Sequence, residues 1–425
     1  MAKTKIVAGL ELGSSKIATL IAQAVVDPVS FDTTVNIVGV SSVDSKGIKK
    51  GQIVDIEEAV EATIAGVEGA ERMAGYNLDS AYIAIGGAHV TSQNSHGVVA
   101  VSDPDGEITE DDVARVIEAA SAVSLPSSRE LIHVIPKEYI VDGESGVKDP
   151  IGMSGVRLEV ETHLITASSA AVKNIRKALD EVGIDINGLV FSGFAAAEAV
   201  LTKTEKELGC VVCDVGGGTT SICAYIDGAL TYSGVIPIGS RNVTNDLAIG
   251  LRVSLESAEK IKIALSKDQK NVSKVAGGSE SDSVDISKLG VPETKKVSRK
   301  TLVEGIIRPR LNEIFTMVKI QLDKEDLSTR VPSGVIICGG GAEIIGAEDS
   351  AKRMLALPVR IGKPRGLAGL IDDVIVPSFA ASSGLVIYGA RQQEPENFTS
   401  FTKKLKLPSK GIAGKLIDII RELLP

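Results

Sequence analysis

Apolar, β-branched residues recur along this chain in short runs that end on glycines and hydroxyls. The clearest is Cys210-Val-Val-Cys213-Asp214-Val215, which meets Gly216, Gly217, Gly218, Thr219 and Thr220 and turns apolar again through Ser221-Ile222-Cys223. A run bounded in this way predicts a strand, a tight turn and a return strand. The same order stands near the N-terminus, where residues 6–12 pass through Glu11, Leu12, Gly13, Ser14, Ser15 and Lys16 into a second apolar run. A third run, residues 335–338, ends on Gly339, Gly340 and Gly341. Further strands are predicted over 35–40, 81–85, 98–101, 130–135, 138–141, 156–165 and 359–361. Helical spacing predicts helices over 56–73, 170–182 (ended by Gly183) and 347–355, and a small-residue helix over 377–388. Thr109 caps another helix reaching about Ala122. Residues 301–322 read as one helix that Pro309 kinks or divides.

These turns carry candidate chemistry. Successive glycines let the backbone approach a ligand and aim N–H groups at an anion. Asp214 closes its strand, where a carboxylate is placed to hold Mg²⁺ through water, and Glu11 closes the other. A glycine-rich hairpin without a ligand is the plainer reading of either turn alone. Two acid-x-Gly hairpins about 200 residues apart, with the third glycine turn, suggest two related halves that clamp one nucleotide. Neither turn fits G-x-x-x-x-G-K-[ST], and G-x-G-x-x-G is absent. Gly239-Ser240 opens a helix, a further N-terminus suited to an anion. Glu259 and Lys262, three apart, share a helix face, and a surface ion pair is their plain reading.

Taken in this order, the motifs resemble the actin/Hsp70/sugar-kinase superfamily, and within it the chain is similar to the FtsA family of bacterial division proteins. The resemblance runs from Gly9-Leu-Glu11-Leu-Gly13-Ser14 through the Cys210–Thr219 turn, Ala258-Glu259-Lys260-Ile261-Lys262, Ser298-Arg299-Lys300-Thr301 and the Cys338-Gly339-Gly340-Gly341 turn to an amphipathic tail. It implies an α/β, actin-like two-domain fold of duplicated RNase H-like halves, with a small α+β insertion subdomain and a C-terminal amphipathic helix. The first half would be 1–85, completed by 164–195 and 370–390. The insert would be 86–163, used for contact between protomers. The second half would be 196–240 with 305–369, and a smaller subdomain would span 241–304.

The resemblance also implies ATP with Mg²⁺ between the halves. Gly13, Ser14, Ser15, Lys16, Gly216, Gly217, Gly218, Thr219, Thr220 and Gly239 would surround the phosphates, and Glu11 and Asp214 would organise the metal. Gly339, Gly340 and Gly341 would receive adenosine, with Glu259 and Lys262 at its ribose and adenine edge. Arg299 and Lys300 would receive the C-terminal peptide of FtsZ, the tubulin-like division GTPase; solvated charges at a helix start are the bland alternative. Two departures stand out. Glu11 replaces the usual Asp, and Phe191-Ser192-Gly193-Phe194 lacks the Gln or Glu that orients an attacking water, Glu198 lying deeper in the next helix. The expectation is tight nucleotide binding with slow or no hydrolysis.

Composition narrows the partners. A net charge of -9 and 3% aromatic residues argue against nucleic acid. The four cysteines (Cys210, Cys213, Cys223, Cys338) fall in predicted strands and read as core residues of a reducing compartment. His89, His96, His133 and His163 show no metal-ligand spacing. No signal peptide and no apolar run of about 20 residues is present, so a cytoplasmic protein is expected. Residues 266–298 read as a mobile surface excursion and 391–409 as a linker. Over 410–425, Ile412, Leu416, Ile419, Ile420, Leu423 and Leu424 lie along one stripe with charges opposite. A helix this short needs a surface, and nearby lysines favour anionic lipid over docking onto its own core.

The expected protein is an ATP-binding, actin-like division protein. It polymerises on the cytoplasmic face of the inner membrane at midcell, tethers the FtsZ ring there and meets other divisome membrane proteins. The alternatives are an actin-like adaptor of a pilus or secretion complex, and a small-molecule kinase.

Overall fold

Two mixed sheets repeat one strand order. In the first, Thr33–Asp44, Lys16–Val26, Lys3–Leu12, Ser80–Ile85 and Asp185–Phe191 lie side by side; the first three pair antiparallel and the rest parallel. In the second, Ala229–Ile236, Cys210–Val215, Val335–Cys338 and Val359–Ile361 follow the same pattern, with Thr220–Ile226 between the first two. Leu367–Gly369 extends the first sheet beyond Thr33–Asp44. Strands with both faces covered by helices read as continuous apolar runs, which is why Lys16–Val26 and Thr220–Ile226 are buried almost throughout. The structure is a computed structural model that describes residues 3–26, 33–103, 105–267, 283–284, 286 and 296–392. The predicted tail, with Ile412, Leu416, Ile419, Ile420, Leu423 and Leu424, lies outside the described residues, as does most of 266–298.

The helices are placed by local chemistry. Ile56–Ala74 starts where Asp55 accepts from the Glu58 N–H (3.1 Å) and stops at Gly75, whose φ of 72° admits the left-handed turn. Arg299–Leu302 runs through a π-helical turn, Val303–Ile307, into Arg308–Lys324, with the Arg308 N–H bonded to the Val303 carbonyl. The proline expected to kink or divide this segment thus stands just after a wide turn that joins two helices. Ser192–Val200, which follows Asp185–Phe191, and Ala380–Arg391, which follows Pro377–Phe379, pack together through alanine and glycine behind the first sheet.

Between Ser80–Ile85 and the helix Ser169–Val182 sits a four-stranded sheet ordered Thr91–Ala100, Arg157–Ser168, Arg129–Val141 and Glu144–Val147. The helix Glu110–Ser121 packs on it around Ile108, Val116, Tyr139 and Leu158. Here the structure corrects two expectations. The runs predicted at 130–135 and 138–141 form one strand, because a register shift between Glu161 and Thr162 lies opposite Pro136 and accommodates its missing donor. The strand predicted at 98–101 begins at Thr91; its polar first half shows no alternation because ladder pairing, not burial, holds it. Among the described residues, no helix is long and apolar enough to cross a membrane.

Candidate functional site

The duplicated strand order brings the two hairpin turns face to face. They line a cleft of about 800 Å³, including its open mouth, together with Glu11, Lys16, Gly51, Gly86, Ser192, Asp214, Ser221, Gly339, Gly340 and Ser378. The approach is close. A Cβ added at Gly217 would stand 2.7 Å from Ser15 Oγ, and one at Gly218 would stand 2.9 Å from Ser14 Oγ. Among the described residues, nothing accepts from the backbone N–H groups of Ser14, Ser15, Gly217 and Gly218. Four such donors beside a cleft make an anion cradle.

The acids sit at the strand ends, as their sequence positions require. Asp214 is pushed up to about 7 by burial and by the neighbouring Glu11, with Lys16 opposing. Burial lowers Lys16, while Glu11, Glu343 and Asp214 hold it up; its Nζ lies 3.5 Å over the Phe379 ring. Ser382 Oγ donates to Glu11 Oε2 (3.0 Å), and the Ser378 N–H donates to Glu343 Oε1 (3.0 Å). Among the described residues, no group of three or more His, Cys, Asp and Glu forms a metal cage. Two carboxylates beside an anion cradle fit a hydrated Mg²⁺ shared with phosphates, not an all-protein site.

Gly13, Ser14, Ser15, Lys16, Gly216, Gly217, Gly218, Thr219, Gly339 and Gly340 meet at the cleft with Glu11 and Asp214. Thr220 is fully buried and donates to the Ile238 carbonyl (2.9 Å). Gly239 backs the second turn, where an added Cβ would lie 2.5 Å from the Gly216 carbonyl oxygen. The helix beginning there gives the N–H groups of Ser240 and Arg241 to the carbonyls of Gly216 and Gly217 (2.9 and 2.8 Å). That N-terminus was expected to face an anion; the turn itself takes its first donors. Gly341 packs on Val215. Glu259 and Lys262 pair at 2.7 Å and share Thr244 Oγ1, beyond this lining. Arg299 and Lys300 begin the segment that leads to the π turn, also away from it.

Gly51 and Ser378 at the cleft, and Glu343 beside Ser378, stand outside the acid-glycine-hydroxyl pattern. Gly51 reaches the cleft because Lys50 and Gly51 both take positive φ (49° and 73°) in a two-residue turn, which lets the Gly51 N–H donate to Ser14 Oγ (2.9 Å). The Lys-Gly pair was the available signal. Ser192 and Ser221, one from each half, pair hydroxyl to hydroxyl at 3.2 Å on the cleft wall. Glu198 is committed elsewhere, to Lys206 and Arg391.

The cysteines are all free and buried, and burial pushes Cys210 up to about 12 and the other thiols higher. The folded protein is therefore expected to resist a chromogenic disulfide reagent and to release four equivalents only after denaturation. Rapid labelling of the native protein would contradict this burial.

Comparison with known proteins adds the following. Residues 87–166 match the family model described as the SHS2 domain inserted in FTSA, and residues 211–384 match the model for cell division protein FtsA. The chain is 38% identical to cell division protein FtsA of Borreliella burgdorferi, covering 97% of each chain. It is 36% identical to FtsA of Pseudomonas aeruginosa, over 92% of this chain and 90% of that one. For FtsA of Escherichia coli K12 the identity is 35%, over 91% and 90%. Among solved structures, the PilM–PilN type IV pilus biogenesis complex aligns with a TM-score of 0.62 at 16% identity, covering 91% of this chain and 99% of that one. The MamK double helical filament aligns at 0.50 and 14%, covering 91% and 99%. At these identities the structural likenesses establish an actin-like fold.

Proposed function

This chain belongs to the FtsA family of cell division proteins, and from that premise we propose that it is an ATP-dependent, self-assembling adaptor that ties the FtsZ ring to the inner membrane face. The observation that carries the nucleotide part is the pair of facing turns. Four unpartnered N–H groups and two strand-end carboxylates converge where a triphosphate and its metal would lie. Ser14, Ser15, Gly217 and Gly218 hold the phosphates through backbone N–H groups, with Lys16 adding charge. Glu11 and Asp214 would hold a hydrated Mg²⁺, which would offset the charge of the phosphates. Gly339 and Gly340 leave room for the adenosine. Arg299 and Lys300 receive the acidic C-terminal peptide of FtsZ, the inserted sheet meets neighbouring protomers and other division proteins, and the stripe from Ile412 to Leu424 lies in the anionic membrane surface.

A kinase reading would need a carboxylate poised as a base. In the proposed reading Glu11 and Asp214 are assigned to the metal, and Glu343 holds the Ser378 N–H. The pilus-adaptor reading gives way to the family assignment. Because Phe191-Ser192-Gly193-Phe194 carries no Gln or Glu to orient an attacking water, and Ser192 pairs instead with Ser221, ATP turnover is expected far below the roughly 1–100 s⁻¹ of kinases. A steady-state phosphate-release assay checks this, and kinase-like turnover would refute it.

The tethering claim is tested by pelleting with anionic vesicles and ATP. The full chain should sediment and carry FtsZ with it, whereas a chain ending at Ser409 should stay in solution. Equal sedimentation of both forms would remove the tethering role.

A further inference from the structure

Arg241 bonds to both anion-binding turns. Its main-chain N–H donates to the Gly217 carbonyl (2.8 Å), at the back of the second turn. Its side chain crosses to the other half of the molecule, where Nη1 donates to the Ser14 carbonyl (2.9 Å). Among the described residues, that carbonyl is the one hydrogen-bond acceptor the guanidinium meets. Ser14 is held from its other side as well, its Oγ accepting from the Gly51 N–H. One residue just after the second half's turn, where the smaller subdomain begins, therefore ties that turn to the first half's turn.

The sequence makes this contact possible in a specific way. Gly239 packs so tightly against the second turn that a Cβ would lie 2.5 Å from the Gly216 oxygen, so the helix Arg241–Leu251 starts on the turn itself. Its first side chain is thereby launched across the cleft rim. Lys16, which lines the cleft, faces Glu11, Asp214 and Glu343 and cannot serve as the tie.

We propose that Arg241 is a positioning residue that holds the two turns at the spacing a triphosphate must bridge. This rests on the nucleotide reading of the cleft. A polyphosphate that touches both turns benefits from a fixed spacing, because the ordering is done before it binds. Adenosine, lacking phosphates, gains nothing from it. Arg241 thus sets discrimination by phosphate number without being one of the residues that line the cleft.

The experiment compares Mg·ATP, Mg·ADP and adenosine binding to the full-length wild type, Arg241→Ala and Arg241→Lys by calorimetry. The alanine variant is expected to lose about tenfold in ATP affinity, the worth of one charge-assisted hydrogen bond partly open to water. It should lose less for ADP and leave adenosine unchanged. Lysine still donates to the Ser14 carbonyl and should recover most of the loss. The residue is exposed, so the ligand-free melting temperature should move little. Equal losses for ATP and adenosine, or ATP binding within twofold of wild type, would overturn the role of Arg241. Absence of ATP binding by the wild type would instead overturn the nucleotide reading itself.

Discussion

Replacing Asp214 by Asn is expected to weaken Mg²⁺-dependent ATP binding by about a hundredfold, the upper end for losing a carboxylate that orients metal-bound ligands. The substitution keeps the shape at the strand end and removes the charge. Its pH signature is distinctive. Burial and Glu11 push Asp214 up to about 7, so at neutral pH the ligand-free carboxyl is partly protonated. A bound cation needs it ionised, so wild-type affinity for Mg·ATP should climb from about pH 6 to pH 8 and that of Asp214→Asn should stay flat. Stability runs the opposite way. A carboxyl raised in the folded state favours folding below its unfolded value of 3.8, and that contribution is lost as pH rises through about 7. The ligand-free Asn variant, neutral throughout, should therefore melt higher than wild type at pH 8 and close to it near pH 4. Titration calorimetry and thermal melts across this range check both trends. Equal ATP affinity in the two proteins would remove Asp214 from the metal position.

Gly384→Ala is expected to destabilise the protein by about 3 kcal/mol, at the top of the range for overpacking, and Gly384→Leu to prevent folding. The helices Ser192–Val200 and Ala380–Arg391 meet backbone to backbone at this point. A Cβ on residue 384 would lie 1.7 Å from the Ala195 carbonyl oxygen, which no rotamer can relieve. The two helices would have to separate. Ala381 lines the cleft and Ser382 holds Glu11, so the carboxylate that the proposed function assigns to the metal would lose its support too. Gly305→Ala is the control: nothing lies nearer than 4.0 Å to its added Cβ, and a helix gains from the exchange. Urea unfolding of both variants distinguishes them, and equal stabilities would show that the helix contact gives way without loss.

Some of the site was legible because it depends on short-range pattern. An acid at the end of an apolar run, followed by glycine and hydroxyls, is a strand and a turn whatever surrounds it. Glu11, Asp214 and the glycines between them and the return strands stand where that pattern put them. Thr220 belonged to the same pattern and Gly239 to a helix start, yet the fold uses Gly239 to back the turn and Thr220 to hold Ile238. Spacing shows that such residues are near a turn but not which side of it they face. The polar strand from Thr91 was hidden for a related reason: its ladder partners lie more than 50 residues away.

The order of motifs along the whole chain carried the family resemblance, and the sequence by itself determined the two acid-tipped hairpins, the late glycine turn and the helices that cover the sheets. Each depends on residues within a few positions of one another, where propensity and periodicity act. Tertiary structure alone decided how closely the opposed turns approach, that Gly51 and Arg241 grip Ser14 from two sides, and that Ser192 meets Ser221. Those contacts join residues far apart in the chain, and their partners are set by how two sheets of the same strand order pack, which no local window records.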